Sequence, residues 1–540
     1  MTESDHSTET PDELTGGDRG PEPGPLADAL PVGGDAESET ASEPAEQVAP
    51  KRAPRSAKRS AAKSAQPRTR RPSRAKVVPH PTPAERAARG KAARADVGRS
   101  VHGEWELPSN RRDPVDLLEE QAATRVPELV PIRYGRMLAS PFAFFRGAAS
   151  VMASDLADVP RTGLQVQLCG DAHLSNFGIY AAPDRRLVFD VNDFDETLPG
   201  PFEWDLKRLV ASFAVAGRDR GFDAKQRQTI NRAVTQAYRK AMKSFAGMDT
   251  LALWYARIEV DQIVELFRSQ AGKKQRKQAN RDIGKARTKD SLAAFAKLTH
   301  LVDGEPRIVS NPPLIVPVEE LVQPGTRGGH GEFLHGLVRS YWETLPGDRR
   351  RLLERFRYVH SARKVVGVGS VGTRAWIVLL LGRDESDPLF LQAKEAQASV
   401  LEPFLGKSAF ADHGQRVVEG QQLTQAASDI MLGWLRATDL DGVDRDFYVR
   451  QLWDSKGSAD VETMNPKSMR IYAKVCGAAL ARSHARSGDA IAIDSYLGRS
   501  DRLDQALATF AETYADQNAK DYEALEAAVA SGRVEAETGV

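Results

Sequence analysis

The stretch KVVGVGSVGTRAWIVLLLG, residues 364–382, decides how the fold is read. Its glycines at 367, 369 and 372 have the spacing G-x-G-x-x-G, a weak signal by itself in a chain with 42 glycines. The segment C-terminal to them settles their meaning. A dinucleotide fingerprint and a Walker loop both lead from a strand into a helix, and the G-K-S/T of the Walker loop is missing here. TRAWIVLLLG, β-branched and aromatic, reads instead as a second strand. Strand, glycine loop, strand lays backbone amides over nucleotide phosphates without side-chain obstruction, so Gly367, Gly369 and Gly372 are expected to bind ATP phosphates. The next strand, FLQAKEA, presents Lys394 toward the loop, where a phosphate-orienting lysine belongs. The plainer alternative is a loop-closing glycine cluster beside a surface lysine.

A second signal is CGDAHLSNFG, residues 169–178, where Asp171 and Asn176 stand five apart between two strands. At that spacing an Asp can orient a substrate hydroxyl while an Asn ligates magnesium. The strand RLVFDVNDFDET then supplies Asp190, Asp193 and Asp195. Magnesium takes hard oxygen ligands and needs only one or two carboxylates beside the nucleotide phosphates. Asp193, with Phe194 after it, best matches a metal-binding Asp-Phe-Gly element, although no glycine comes next. Asp190 competes with it, because strand alternation alone does not choose. An EF-hand is disfavoured, since DVNDFDE lacks the glycine and distal Glu of a calcium loop. His173 has no second His at ligand spacing and is expected to hold the loop; Cys169 is expected to fill the core.

Around these motifs the 540 residues carry 75 Lys and Arg against 74 Asp and Glu, a net charge of +1. That balance conceals a net of −12 over residues 1–50 and +14 over 51–100, leaving −1 for 101–540. Residues 1–100, rich in Pro, Gly, Ser and charge, cannot bury enough apolar area to offset ordering entropy and are expected to be a disordered tail. Residues 51–99 are a candidate surface for nucleic acid or an acidic partner, the alternative being a solvated tail without aromatic stacking groups. Two cysteines exclude a disulfide framework. No signal peptide is readable and no apolar run reaches membrane length, so a cytoplasmic protein with no membrane partner is expected.

Order is expected from about Trp105, with an N-terminal helical segment over 101–163. A helical lobe with the catalytic loop and acidic strand comes next, over 164–356. A smaller antiparallel-sheet lobe spans 357–455, and C-terminal helices over 456–540 pack back on the helical lobe. The basic stretch 271–289 reads as a solvated helical face or as a surface for an anionic substrate. Arg146 and Arg374 are each candidates for phosphate contact or for a structural ion pair.

GDAHLSN resembles the catalytic loop of aminoglycoside and choline kinase-like phosphotransferases, Gly-Asp-x-His-x-x-Asn. WDLKRL (204–209) is similar to the helix after that loop, and the resemblance makes Asp205 the support of the loop. The longer blocks SPFAFFRGAA, CGDAHLSNFG, FDVNDFDETLPGPFEWDLKRL and KVVGVGSVGTR resemble an uncharacterised bacterial family, domain-of-unknown-function family 2252, over roughly residues 105–530. The resemblance implies an α+β, two-lobed protein-kinase-like fold, though no established activity. Its parts are in permuted order, because the catalytic loop precedes the glycine loop by about 200 residues. Circular permutation requires the end of the helix near residue 486 to lie close to the strand starting near 164.

The Glu that pairs with Lys394 is expected on the helix HGQRVVEGQQLTQAASD, with Glu419 first and Glu402 and Glu395 as alternatives. Together these readings predict an ATP- and magnesium-dependent phosphotransferase acting on a hydroxyl acceptor. Asp171, Asn176 and Lys394 would be catalytic, Gly367, Gly369, Gly372, Lys394 and Glu419 would hold nucleotide, and Asn176, Asp193 and Asp190 would hold metal. The alternatives are a non-catalytic nucleotide-binding protein or scaffold, and nucleotidyl transfer with similar parts.

Overall fold

A computed structural model describes residues 80–270, 272–321, 338–452 and 454–540, a mixed α+β structure with several antiparallel sheets. The described chain opens on a helix, α1 (Pro83–Asp96). Thr82 caps it, accepting from Glu85 N, while the Glu85 carboxylate accepts from Thr82 N at 2.7 Å. Gly90 and Ala93 are buried against the chain near Ala492, and Arg86 Nε donates to Asp489 at 2.9 Å. The expected disorder of residues 1–100 is therefore corrected at its C-terminal end. The helix docks through small side chains rather than aromatics, which is why composition hides it. Residues 1–79, including most of the expected basic partner-binding segment, lie outside the described residues.

Further on come a short helix, α2 (Pro141–Gly147), and four strands: β1 (Gln165–Leu168), β2 (Phe177–Ala181), β3 (Leu187–Val191) and β4 (Leu198–Pro201). β2 and β3 form the expected hairpin over AAPDRR, and β1 pairs with β4, both antiparallel. Two long helices come after them, α3 (Phe202–Asp219) and α4 (Ala224–Ala246), the second capped by Asp223 and Gln226. α3 is buried along nearly its whole length, so its apolar run packs on every side.

After β5 (Ile258–Glu259), α5 (Lys273–Arg287) carries the basic stretch, with most of its Lys and Arg exposed. Three strands come next, β6 (Thr299–Val302), β7 (Glu305–Ile308) and β8 (Ile315–Pro317); the first two stand where helices were expected, and the third lies in the Pro-rich stretch SNPPLIVPVEE, where the helices were expected to break. The signal overlooked was Asp303–Gly304, both at positive φ, a two-residue turn that closes the β6–β7 hairpin.

A six-stranded antiparallel sheet comes next, with β9 (Arg357–Lys364), β10 (Ala375–Leu381) and β11 (Pro388–Ala396). Helix α6 (His413–Thr424) and strands β12 (Gly433–Thr438) and β13 (Asp444–Gln451) come after them. The order across the sheet is β12-β13-β11-β10-β9-β8. The glycine loop therefore joins adjacent antiparallel strands, and Ala375 on β10 lies opposite Lys394 on β11.

The short β14 (Gly457–Ser458) adds to the edge of β2. Helices α7 (Pro466–Ser487), α8 (Ala490–Leu497) and α9 (Arg502–Ala530) close the chain. α7 packs on α4, and α9 on α3, around a core of Phe202, Leu206, Phe213, Tyr238, Leu480 and Phe510. At about 2 kcal/mol for each buried large apolar side chain, this core outweighs any single polar contact in the molecule. The end of α7 meets the start of β1: Gln167 N donates to Ser487 Oγ at 3.1 Å across 320 residues of sequence. Among the described residues no helix is long and apolar enough to cross a membrane.

Candidate functional site

The loop between β1 and β2 is fixed before any side chain on it can act. Gly170 sits at φ +87°, and a Cβ there would collide with the Glu196 carbonyl, so only glycine fits. Asp205, one turn into α3, accepts from Cys169 N at 2.8 Å and Gly170 N at 3.1 Å. His484 Nε2 lies 3.3 Å from Asp205, with Tyr238 Oη 2.9 Å from the other ring nitrogen, tying the loop support to α7 and α4. Leu174 N donates to Ser212 Oγ, while Tyr472 Oη donates to the carbonyls of Leu174 and Phe177. His173 is buried, and its Nδ1 accepts from Ser175 N. Burial, then Arg146 and Arg208, push its pKa well down, so it stays neutral and architectural.

Asp171 projects from this loop into a cleft. Its Oδ1 accepts from Arg208 Nε at 2.9 Å, and Arg208 also donates to the Phe145 carbonyl at 2.6 Å. Burial raises the Asp171 pKa against the pull of Arg208. Asn176 Nδ2 donates to the Asp171 carbonyl at 2.9 Å, which leaves the amide oxygen free of any donor among the described residues. Gly367, Gly369 and Ser370 face the same cleft from across it, as do Asp193, Asp195 and Glu196.

Asp190 is not in the cleft. It is 4% exposed, and Arg482 Nη2 on α7 donates to both of its carboxylate oxygens, at 2.6 and 2.7 Å. The expectation that it binds metal is corrected: β3 aims it into the core, toward α7. Asp193 and Asp195 stand just past the end of β3 and reach the cleft.

Lys394 is 3% exposed; it pairs with Asp195, and Asp193 lies 4.0 Å away. Burial alone would depress the lysine, but the two carboxylates more than offset it and hold it protonated, above its ordinary value. Asp195 also accepts from Tyr448 Oη at 2.6 Å and from Ser370 Oγ at 3.3 Å. Burial raises Asp195, yet Lys394 and Tyr448 bring it below the usual carboxylate range, whereas burial and the Asp195 charge raise Asp193.

Glu419 does not pair with Lys394. It lies half-buried on α6 with no hydrogen bond or ion pair among the described residues, and Asp195 stands where a helical Glu was expected. Glu395, on the other face of β11, pairs with Arg374 and Arg445, and Glu402 lies 3.9 Å from His413. The residue that α6 sends to the site is Arg416, buried, which donates to the carbonyls of Asp195, Thr197 and Gln397.

Gly372 also turns away from the cleft. Its carbonyl accepts from Val126 N at 2.8 Å, and it packs on Arg125. Of the three glycines, 367 and 369 line the cleft with Asp171 and Asn176. Arg374 is engaged by Asp439 at 2.9 Å and Asp441 at 3.1 Å, the ion-pair alternative. Arg146 has no such partner.

Arg208, Arg416, Tyr448, Ser370 and Glu196 escaped the sequence reading. Arg208 had a signal, since it stands one turn after Asp205 on α3. Tyr448 had one too, because β13 lies beside β11 and sets it directly opposite Lys394. Among the described residues no cluster of three His, Cys, Asp or Glu stands ready for a metal.

Compared with known proteins, residues 125–528 match the family model described as an uncharacterized protein conserved in bacteria, DUF2252. No curated protein and no solved structure matches.

Proposed function

The chain belongs to the bacterial DUF2252 family, and from the geometry of its cleft we propose that it is an ATP- and magnesium-dependent phosphotransferase with a permuted kinase-like fold. One observation carries the reading. Gly367, Gly369 and Ser370 of the glycine hairpin line one cleft with Asp171, Asn176, Asp193 and Asp195, and the buried Lys394 pairs with Asp195 and lies 4.0 Å from Asp193, although about 200 residues separate the two groups in sequence. Read from β9 to the end of α7 and then from β1 onward, the parts fall in the order a kinase uses: glycine loop, lysine on the third strand, helix, catalytic loop, acidic strand. The contact of Ser487 with Gln167 supports that joint.

The residues present fit magnesium. The Asp193 carboxylate and the free amide oxygen of Asn176 are hard donors, and one or two protein oxygens suffice when phosphates supply the others. When bound, the ion would neutralise charge on the phosphates. Lys394, released from Asp195, would orient the same phosphates. Asp171 would orient the acceptor hydroxyl and take its proton; Arg208 fixes the carboxylate in place. The acceptor oxygen forms a bond to the γ-phosphorus as the bond from phosphorus to the β–γ bridging oxygen breaks, and ADP leaves with that electron pair. Catalysis would come from positioning and charge neutralisation rather than covalent chemistry on the protein.

The test compares magnesium-dependent ATP consumption by wild type and Asp171→Ala. Loss of about 100-fold or more in the variant is expected; equal background rates in both would defeat the enzyme. Transfer of label from the γ- rather than the α-position separates phosphoryl from nucleotidyl transfer. A second reading, nucleotide binding without turnover, draws on Asp195. This residue replaces the glycine after Asp-Phe and keeps Lys394 engaged. Unchanged nucleotide affinity with no Asp171-dependent turnover would favour it.

A further inference from the structure

Arg125 and Arg146 line the cleft, Arg208, Arg374 and Arg416 hold residues that line it, and four of these five are engaged by the protein. Arg208 pairs with Asp171, Arg374 with Asp439 and Asp441, Arg416 with three carbonyls, and Arg125 with the Val371 carbonyl. Arg146 is the exception. It lines the cleft from the end of α2, its Nε is buried, and no hydrogen bond or ion pair joins its side chain to any described residue. A guanidinium carries five donors and is always charged, so withdrawing it from water without a partner costs stability. The fold keeps it there nonetheless.

Its surroundings narrow down which anion it awaits. The carboxylates whose charge acts most on Arg146 are Asp171 and then Asp193, the residues proposed to orient the acceptor and hold the metal, and all three line the same cleft. The glycine loop reaches it as well: the Arg146 carbonyl lies 3.2 Å from where a Cβ on Gly369 would stand. Arg146 is therefore placed among the three elements that would surround the terminal phosphoryl group of a nucleotide. A planar fork of N–H donors matches phosphoryl oxygens in pairs, and these oxygens gain charge as transfer proceeds.

We propose that Arg146 is a catalytic residue that clasps the transferring phosphoryl group from within the same chain. The proposal rests on the phosphotransferase reading of the cleft and adds the residue that distinguishes a triphosphate from a diphosphate. It also explains why α2 packs under the glycine loop.

Calorimetric titration of the full chain with ATP and with ADP, magnesium present, tests it on wild type, Arg146→Gln and Arg146→Lys. Arg146→Gln should weaken ATP at least ~10-fold while leaving ADP within about twofold, since only ATP carries the clasped group. Arg146→Lys should recover part of the ATP affinity, keeping the charge without the fork. The Tm of Arg146→Gln should stay level or rise, because no native partner is lost. Equal weakening of ATP and ADP would assign Arg146 a structural role and overturn the proposal, as would no change in either. Wild type binding neither nucleotide would defeat the phosphotransferase reading itself, and this inference with it.

Discussion

Asp190 and Asp195 come from one acidic stretch, yet one is bound to Arg482 inside the core and the other to Lys394 in the cleft. Spacing alone could not separate them, because each fate depends on an arginine or lysine about 200 to 300 residues away. Asp205 was legible as the support of the loop because WDLKRL stands in a motif, and Asp171 and Asn176 line one cleft as their shared loop led one to expect. Glu419 was misplaced because a helical Glu has no local signature that separates a buried pair from a solvated face. Glu196 went unread, and it has a measurable consequence. Burial pushes its carboxyl from 4.5 up to about 7, against the pull of Arg416. A folded-state pKa above the unfolded one contributes stability that is full below about 4.5 and is lost as pH rises through about 7. Glu196→Gln removes that dependence. Between pH 5 and pH 8 the Tm of the variant should therefore gain on that of wild type; a difference that stays constant with pH would contradict the assigned burial.

Elements were legible where their period was strong and hidden where packing used small residues. The glycine hairpin, the Lys394 strand and the β2–β3 hairpin could be read because alternation and turn residues agree. α1 could not, since it docks through Gly90 and Ala93. The same use of small residues governs the crossing of α4 and α7, where a Cβ on Gly477 would collide with the Val234 carbonyl. Gly477→Val should thus cost about 2 kcal/mol or more, because backbone and not a flexible side chain must yield. Gly284 on α5 has open space around it, so Gly284→Ala should gain about 0.5–1 kcal/mol from helix propensity. Opposite shifts in Tm for the two variants are expected. A shift of the same sign would mean that α5 or the crossing is packed differently.

At the scale of the whole molecule, three facts come together. The six-stranded sheet carries the glycine loop and Lys394, the helical part carries the Asp171–Asn176 loop, and the end of α7 meets the start of β1. The order of the motifs along the chain was readable from the sequence; the contact between Ser487 and Gln167, which a permuted order would require, is a matter of tertiary packing, outside the reach of local pattern. The most direct test of the phosphotransferase cleft is a crystal structure of the full chain with magnesium and a non-hydrolysable ATP analogue. The β- and γ-phosphates should lie between Gly367–Ser370 and Asp193, with the metal on Asp193 and Asn176 and Lys394 shifted from Asp195 to within about 3 Å of a phosphate oxygen. Nucleotide bound away from this cleft, or a cleft that stays empty with Lys394 still on Asp195, would contradict it.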